Sequence, residues 1–455
     1  MGRGSLTPPG VLACGYESPD DLPLPTPPLL QPRNGFCQAP SPGSTPNRTP
    51  DPESGILSPQ PPSNSSSLNG MITKARNLRG RNVSILDRIA CFRWTWFTMT
   101  MATGGIANVI SSLPYRSRVL TGFGLAFFIF NLFLFAMNCV LIITRFRIRP
   151  GSFVNSFTEQ FESLFISASI VSVATILITV CQYGIPKSGP WLLSVMEVMF
   201  WVYVGTSTVV SAGLYLTLWS TQVFPIHTMT PVWVFPAYPL LLTAPFGSNL
   251  IAAASKSGKL ASLDAVAVAI ASVTVQGTGF LISFMVCAAF LYRLMTQKLP
   301  RDHQRPGIFI SIGPSAFTAA GMVTLGNQTA EIFPPNFMGT EHAIFILRLF
   351  SYMAGLWLYG LSIWFFLVSV GSLWKYVKPE NRKKMPFQMT WFSFVFPNTA
   401  LVTATEALGI AFESNGLKIF GAALAACIVL VWIFVFSSMI RCLWRRQLLW
   451  PVDED

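Results

Sequence analysis

Charged residues are scarce in this sequence of 455 residues: Asp, Glu, Lys and Arg make up 11%, whereas hydrophobic residues make up 51%. Ordinary soluble domains carry about 25% charged residues, so this composition excludes an ordinary soluble protein. Histidine occurs only three times, and the eight cysteines form no CxxC pair. We therefore expect no metal site, no disulfide framework and no cofactor. The sequence shows no paired carboxylates in the middle of its apolar stretches, no histidine cluster and no nucleophile motif, which argues against an enzyme.

Long apolar stretches occupy most of the chain. A helix needs about 20 apolar residues to cross roughly 30 Å of hydrocarbon. Ten stretches meet this requirement, so we predict an all-α polytopic membrane protein with ten transmembrane helices embedded in membrane lipid. The predicted spans are 92–113, 119–144, 160–183, 190–218, 231–254, 265–292, 306–326, 343–373, 389–410 and 417–440.

The chain before the first span has a different composition. Sixteen of the 34 prolines precede Ser63, mixed with Ser, Asn and Gly. Such a segment cannot bury enough apolar surface to offset the entropy lost on ordering. We therefore predict a disordered tail over residues 1–85. The ten predicted spans form one domain over 86–446, and a short tail follows over 447–455.

Basic residues give the chain a net charge of +12. They gather in the loops on one side of the predicted spans, a pattern that sets membrane orientation and does not call for nucleic acid as a partner. By the positive-inside rule, both termini face the cytoplasm. The basic side includes Arg145, Arg147, Arg149, Arg293, Lys298, Arg301, Lys375 and Arg441.

Polarity alternates between neighbouring spans. The even-numbered spans are bulky and apolar for most of their length, whereas the odd-numbered spans carry Gly, Pro, Ser and Thr; the sixth span, with Gln276, is a partial exception. Broken backbone at a proline is tolerated where it is buried in protein or lines a watery cavity. The alternation favours a central pore lined by the odd spans. Tight helix packing, which also uses small residues, is the alternative reading.

Small and polar residues of the odd spans are the candidates for lining the pore or contacting an anion. They are Thr100, Thr103, Gly104, Ser167, Pro239, Gly313, Pro314, Ser315, Thr318 and Pro397.

Charged residues within the predicted spans include Glu162, Glu197, Arg348 and Glu406, and all of these but Glu197 are also candidates. A charge inside a membrane is costly and is normally paired or functional. Arg348 could attract an anion, and Glu162 or Glu406 could carry a proton. Glu162 and Arg348 lie near span ends, where a side chain that reaches the membrane surface is a sufficient explanation.

Several longer strings are specific enough to indicate a family. They are TWFTMTMATGGIANV, WSTQVFPIHTMTPVWVFPAYP, YRLMTQKLPRDHQRPGIFISIGPSAFTAAG and WFSFVFPNTA. Over residues 85–445 the sequence resembles the tellurite-resistance/dicarboxylate transporter family, and within it the fungal malic acid transporter branch. It departs from that branch at SFTEQFESLF, where a His-Pro pair is expected before ESLF. That departure leaves proton coupling and the exact substrate open.

The resemblance implies a fold and a mechanism. The fold is ten transmembrane helices arranged as five hairpins around a central pore in each protomer of a homotrimer. The pore gate is the phenylalanine before the proline of the ninth span, which is Phe396 here. The alternative is that Phe396 only packs against lipid or protein.

The implied function is transport of malate or another C4-dicarboxylate across the plasma membrane, with protons as possible partners. Sulfite efflux and passive anion conduction are the alternatives within the family. A receptor or scaffold is the rival from another class, because the N-terminal tail is long, but ten spans exceed what signalling requires.

Overall fold

A computed structural model of the protein describes residues 83–115, 117–382 and 385–450. The predicted disordered tail lies outside the described residues as far as position 82. Residues 451–455 of the predicted C-terminal tail lie outside them as well.

Ten α-helices of 13 residues or more form the described part of the chain, which contains no β-strand. They are α1 Phe97–Ser112, α2 Arg118–Ile148, α3 Ser167–Thr179, α4 Pro190–Thr221, α5 Thr243–Lys256, α6 Ala265–Thr296, α7 Ile312–Asn327, α8 Ala343–Ser372, α9 Phe396–Ala411 and α10 Asn415–Trp444. Shorter α-helices cover Ile85–Ala90, Ser152–Thr158, Thr329–Ile332 and Pro379–Arg382.

The even-numbered helices are 30–32 residues long and uninterrupted, whereas the odd-numbered helices have only 13–16 residues. Each odd-numbered helix is preceded by 3₁₀ turns, which occupy the first part of the predicted span. Before α5 and α7, Pro236 and Pro306 lie inside these turns; because proline removes a backbone donor and clashes with the preceding turn, it delays the start of the α-helix there. The 3₁₀ segments are Trp94–Trp96, Ser163–Phe165, Pro231–Ala237 with Leu240–Leu242, Asp302–Ser311 and Met389–Phe394.

Eight helical stretches of the described chain are long and apolar enough to cross a membrane, and the protein is a multi-pass membrane protein. A ninth is added if Pro231–Ala237 and Leu240–Lys256, which meet at 69°, form one broken span. Helix α1, in the first predicted span, is not among them. Length and composition alone therefore support eight or nine of the ten predicted spans.

Burial alternates in the same way as polarity. In the apolar parts of the stretches that contain α3, α7 and α9, 72%, 89% and 72% of the residues are buried. In the five even-numbered helices the buried share is only 22–33%. The odd-numbered helices are thus surrounded by protein, and the even-numbered helices present large apolar side chains outward.

Polar side chains hold the inner helices together. Gln276 on α6 accepts a hydrogen bond from the Ala244 backbone N–H at 3.2 Å and donates one to the Thr318 hydroxyl at 3.0 Å, which joins α5 to α7. Thr100 and Ser172 share a hydrogen bond of 2.7 Å between α1 and α3. Inside a membrane such groups have no water to bind, so each must find a partner within the protein.

Substitutions at two glycines of α6, Gly279 and Gly277, test this close packing. A Cβ added to Gly279 would lie 2.6 Å from the Leu240 Cβ and 3.3 Å from the Leu240 carbonyl carbon, whereas one added to Gly277 meets nothing within 4 Å. We expect Gly279→Ala to lower the free energy of unfolding by about 1–3 kcal/mol, because overpacking displaces backbone. The melting temperature in detergent should fall for Gly279→Ala and stay level or rise for Gly277→Ala. Equal melting temperatures would contradict the packing described here.

Candidate functional site

A cavity of about 560 Å³, here called the first cavity, lies among the odd-numbered helices. All five contribute to its wall, mostly from their C-terminal halves. Its polar lining consists of Asn108, Ser111, Ser112, Thr175, Gln182, Ser248, Asn249, Lys256, Thr324, Thr399, Thr403 and Glu406. The cavity is therefore rich in hydroxyls and amides and contains one lysine and one carboxyl.

Aromatic side chains close the inner end of the first cavity. Phe396 and Phe317 line it, with ring centroids 5.2 Å apart. Behind them Tyr238 lies 6.1 Å from Phe396 and stacks on Phe235 at 5.2 Å, and Phe235 contacts Phe165 at 4.7 Å. These five residues come from α7, from α9 and from the chain just before α3 and α5, and they are here called the aromatic plug.

The plug is held in place by the chain around it. The Tyr238 hydroxyl donates to the Ile310 carbonyl at 2.6 Å, and Gly313 leaves room for the Tyr238 ring, which a Cβ at that position would strike. Gly105 on α1 allows close approach of α9, since a Cβ there would lie 2.9 Å from Thr399 Oγ1, whereas it would be at ordinary contact distance, 3.4 Å, from the Phe396 ring. Gly313 thus admits the Tyr238 ring into the centre of the helix bundle.

A second cavity, of about 1090 Å³, lies at the other end of the odd-numbered helices. Its wall contains Arg93, Arg145, Arg149 and His303, so it is more basic than the first cavity. Cys91 also lines it; burial raises the pKa of this thiol, and the nearby arginines offset part of that rise.

The two cavities follow each other along α1. Thr95, just before α1, lines the second cavity, Thr98 and Met101 line a void of about 10 Å³, and Gly105 to Ser112 line the first cavity. The void is also bounded by Phe235, Tyr238, Phe392, Phe396 and Pro397. A space of this size is at the limit for one water molecule and is too small for an organic anion. The aromatic plug therefore separates the two cavities.

The structure brings two of the predicted site residues, Phe396 and Glu406, to the first cavity, and Pro397 borders the void. The Glu406 side chain accepts a hydrogen bond from the Ser112 hydroxyl at 2.5 Å.

The other small and polar candidates do not line the first cavity, and they take part in helix packing. Thr103 accepts a hydrogen bond from the Trp432 indole, Ser315 accepts one from Ser362, and Thr318 accepts one from Gln276. Their role as anion contacts stays a prediction. The remaining members of that group, which likewise pack or bond within the helix bundle, are Thr100, Gly104, Ser167, Pro239, Gly313 and Pro314.

The remaining charged candidates lie away from the first cavity. Glu162 is fully buried and forms an ion pair with Arg145 through both carboxyl oxygens. It also accepts a hydrogen bond from the backbone N–H of Trp94. Arg348, near the start of α8, donates to the Thr329 hydroxyl at 3.4 Å.

Sequence reasoning missed most of the aromatic plug and the amides of the first cavity. Phe317 follows Gly313 by four residues, which places both on one face of α7. Asn108 likewise follows Gly104 by four residues on α1. A search for large or polar side chains one turn after a glycine in the odd spans could have found both.

A family model described as SLAC1, voltage-dependent anion channel, matches residues 91–440. The chain belongs to this family. The matched range contains the first cavity and all five residues of the aromatic plug. The family membership and the apolar helices together make this a membrane protein of anion transport.

Known relatives carry transporter names. The malic acid transport protein of Schizosaccharomyces pombe is 27% identical over 380 residues, which cover 83% of this chain and 85% of that protein. The sulfite efflux pump SSU1 of Trichophyton rubrum is 24% identical over 352 residues, covering 77% of this chain and 90% of that protein. An uncharacterized transporter of Methanocaldococcus jannaschii is 22% identical over 360 residues, which cover 78% and 96% of the two chains.

Substitutions at two acidic residues near the second cavity, Glu162 and Glu159, test whether Glu162 supports the fold. Glu162 pairs with Arg145 in the interior, whereas Glu159 pairs with Arg93 at 3.1 Å with both side chains more than 40% exposed. Glu162→Gln leaves a buried guanidinium without its counter-charge and should cost about 3–5 kcal/mol. Glu159→Gln, the matched control, should cost less than about 1 kcal/mol.

Thermal melting of the two variants in detergent measures the difference. A Glu162→Gln protein that melts at the same temperature as Glu159→Gln would show that the buried pair does not support the fold.

Proposed function

We propose that the protein transports malate or a similar C4-dicarboxylate across the plasma membrane, along a path through the first cavity, the aromatic plug and the second cavity. The observation that carries this proposal is the succession of two cavities closed by aromatic rings inside a family domain of anion channels. The malic acid transport protein of Schizosaccharomyces pombe aligns with 83% of this chain, and its name supports malate as the substrate.

The proposed topology has ten spans in five hairpins, with both termini in the cytoplasm. The basic residues beside the spans support it through the positive-inside rule. In this orientation the C-terminal ends of the odd-numbered helices face outward. The first cavity then opens to the exterior and the second cavity to the cytoplasm. A homotrimer of such protomers completes the proposed assembly.

Electrostatics suit the path to an anion. Arg93 and Arg145 of the second cavity are paired with Glu159 and Glu162. Arg149 is therefore the arginine of this wall that would raise the local concentration of cytoplasmic anions. The first cavity, with few fixed charges, would bind an anion through hydroxyls, amides and Lys256. Weak binding at several sites favours passage, since an ion must leave as well as enter.

Sulfite efflux is the second candidate function, supported by the similarity to the T. rubrum pump. The first cavity is large enough for either anion. Malate is preferred because the aligned region of the malate transporter covers more of this chain than that of the sulfite pump does.

Uptake of radiolabelled malate into proteoliposomes that contain the purified protein tests the substrate. We expect uptake that unlabelled malate inhibits and that empty liposomes lack. Sulfite transport without malate transport would instead establish the second candidate function.

Phe396→Ala tests the gate in the same vesicles. Phe396 has ring contacts with Phe317 and Tyr238 that are worth about 0.5–1.5 kcal/mol each. Loss of about 1.4 kcal/mol from the barrier to plug opening should raise the malate flux roughly tenfold. Phe394→Ala is the matched control, because Phe394 contacts Phe309 and Trp391 and lies outside the plug. Equal flux through the two variants would rule out Phe396 as the gate.

A further inference from the structure

Three acceptor oxygens of the first cavity lack a hydrogen-bond donor among the described residues. They are Asn108 Oδ1 on α1, Gln182 Oε1 after α3 and Glu406 Oε1 on α9. Buried polar atoms are normally paired, because an unpaired acceptor loses its hydration without compensation. A cavity with three such oxygens is suited to a ligand that brings hydrogen-bond donors as well as negative charge.

The orientation of the Gln182 amide follows from its neighbours. Asn249 donates from Nδ2 to the Pro245 carbonyl at 2.8 Å, and that carbonyl can only accept. The Asn249 Oδ1 atom must therefore accept, and it does so from Gln182 Nε2 at 3.0 Å. This leaves the oxygen of Gln182 as its unpaired atom at the cavity wall. The acceptor character of Gln182 at this wall thus rests on a backbone carbonyl and not on an arbitrary choice of amide orientation.

Ser112 and Glu406 together have two possible proton arrangements. The Ser112 hydroxyl oxygen lies 2.9 Å from the Val109 carbonyl oxygen and 2.5 Å from Glu406 Oε2. A hydroxyl has one hydrogen and cannot donate to both. If Glu406 is ionised, Ser112 donates to it. If Glu406 is protonated, its own O–H donates to Ser112, which then donates to Val109. The pair is satisfied in either state.

Few charged groups surround Glu406. Lys256 on α5 and the Cys181 thiol line the same cavity. Tyr359 on α8 bonds to the neighbouring Thr405, and Lys418 on α10 lies beside Gly409, about one turn further along α9. Helix α10 packs against Glu406 through a glycine, Gly421, and α7 presents Thr324 to the cavity. In the described part of the chain Glu406 forms no ion pair.

We propose that Glu406 determines which protonation state of the acid binds, by sharing a single proton with the acid in the first cavity. The bound state contains the dianion, the Glu406 carboxyl and one proton. That proton lies on Glu406 when the dianion enters and on the acid when the singly protonated acid enters. Both routes give the same number of atoms and charges. The inference rests on the proposed function and adds to it a proton taken up with each acid.

The pH dependence of the KM for malate tests this role. At pH values above the pKa of both the second malate carboxyl and Glu406, the free acid and the free site are both deprotonated. Binding then takes up one proton, so KM for total malate rises about tenfold per pH unit. Glu406→Gln should abolish that rise, because the glutamine amide can donate and accept hydrogen bonds but does not gain or lose a proton. Glu197→Gln is the matched control, since Glu197 lies within α4 and does not line the cavity. It should keep the wild-type slope.

A second variant covers the case in which Glu406→Gln does not fold. Ser112→Ala removes the donor that stabilises the ionised carboxylate, so the carboxyl should hold its proton to higher pH. The pH at which KM begins to rise should therefore move upward.

The outcomes separate the two hypotheses. A tenfold slope that persists in Glu406→Gln, an unmoved onset in Ser112→Ala, or a wild-type KM that is independent of pH would overturn the role of Glu406. Absence of malate uptake by the wild-type protein would overturn the proposed function itself.

Discussion

The packing of the Phe396 ring against Phe317 and Tyr238 separates the two cavities, and other features of the interior make that contact possible. Tyr238 is fixed by its hydrogen bond to the Ile310 carbonyl, and Gly313 leaves room for its ring. This contact between aromatic rings contains no charged group. It can therefore open by a change of side-chain rotamer without breaking an ion pair.

The division between inner and outer helices follows from backbone chemistry. Prolines such as Pro236 and Pro306 lie in 3₁₀ segments before the short odd-numbered helices, and those helices are buried where lipid cannot reach their backbone. The long even-numbered helices satisfy every interior backbone group themselves and can face lipid. Polar links such as Gln276 then connect the outer layer to the inner one.

The sequence analysis predicted the helical class and the alternation of the spans, because both are visible in local composition. A family string pointed to Phe396, whose role as the gate stays a prediction. Sequence reasoning could not separate pore-lining hydroxyls from packing hydroxyls. Thr103 and Thr399 both bond to carbonyls of their own helix, yet only Thr399 lines the first cavity. The partners of Phe396 were also hidden, since Tyr238 lies more than 150 residues away along the chain. Such contacts depend on the tertiary fold.

Cysteine accessibility tests the central claim, that the aromatic plug closes the path between the two cavities. Thr403→Cys reports on the first cavity and Gln388→Cys on the second, in a chain whose own cavity thiols, Cys181 and Cys91, are replaced by serine. With an impermeant anionic thiol reagent outside, Thr403→Cys should react readily, and Gln388→Cys should react only when Phe396→Ala is also present. Reaction of Gln388→Cys at the same rate with Phe396 intact would contradict the account.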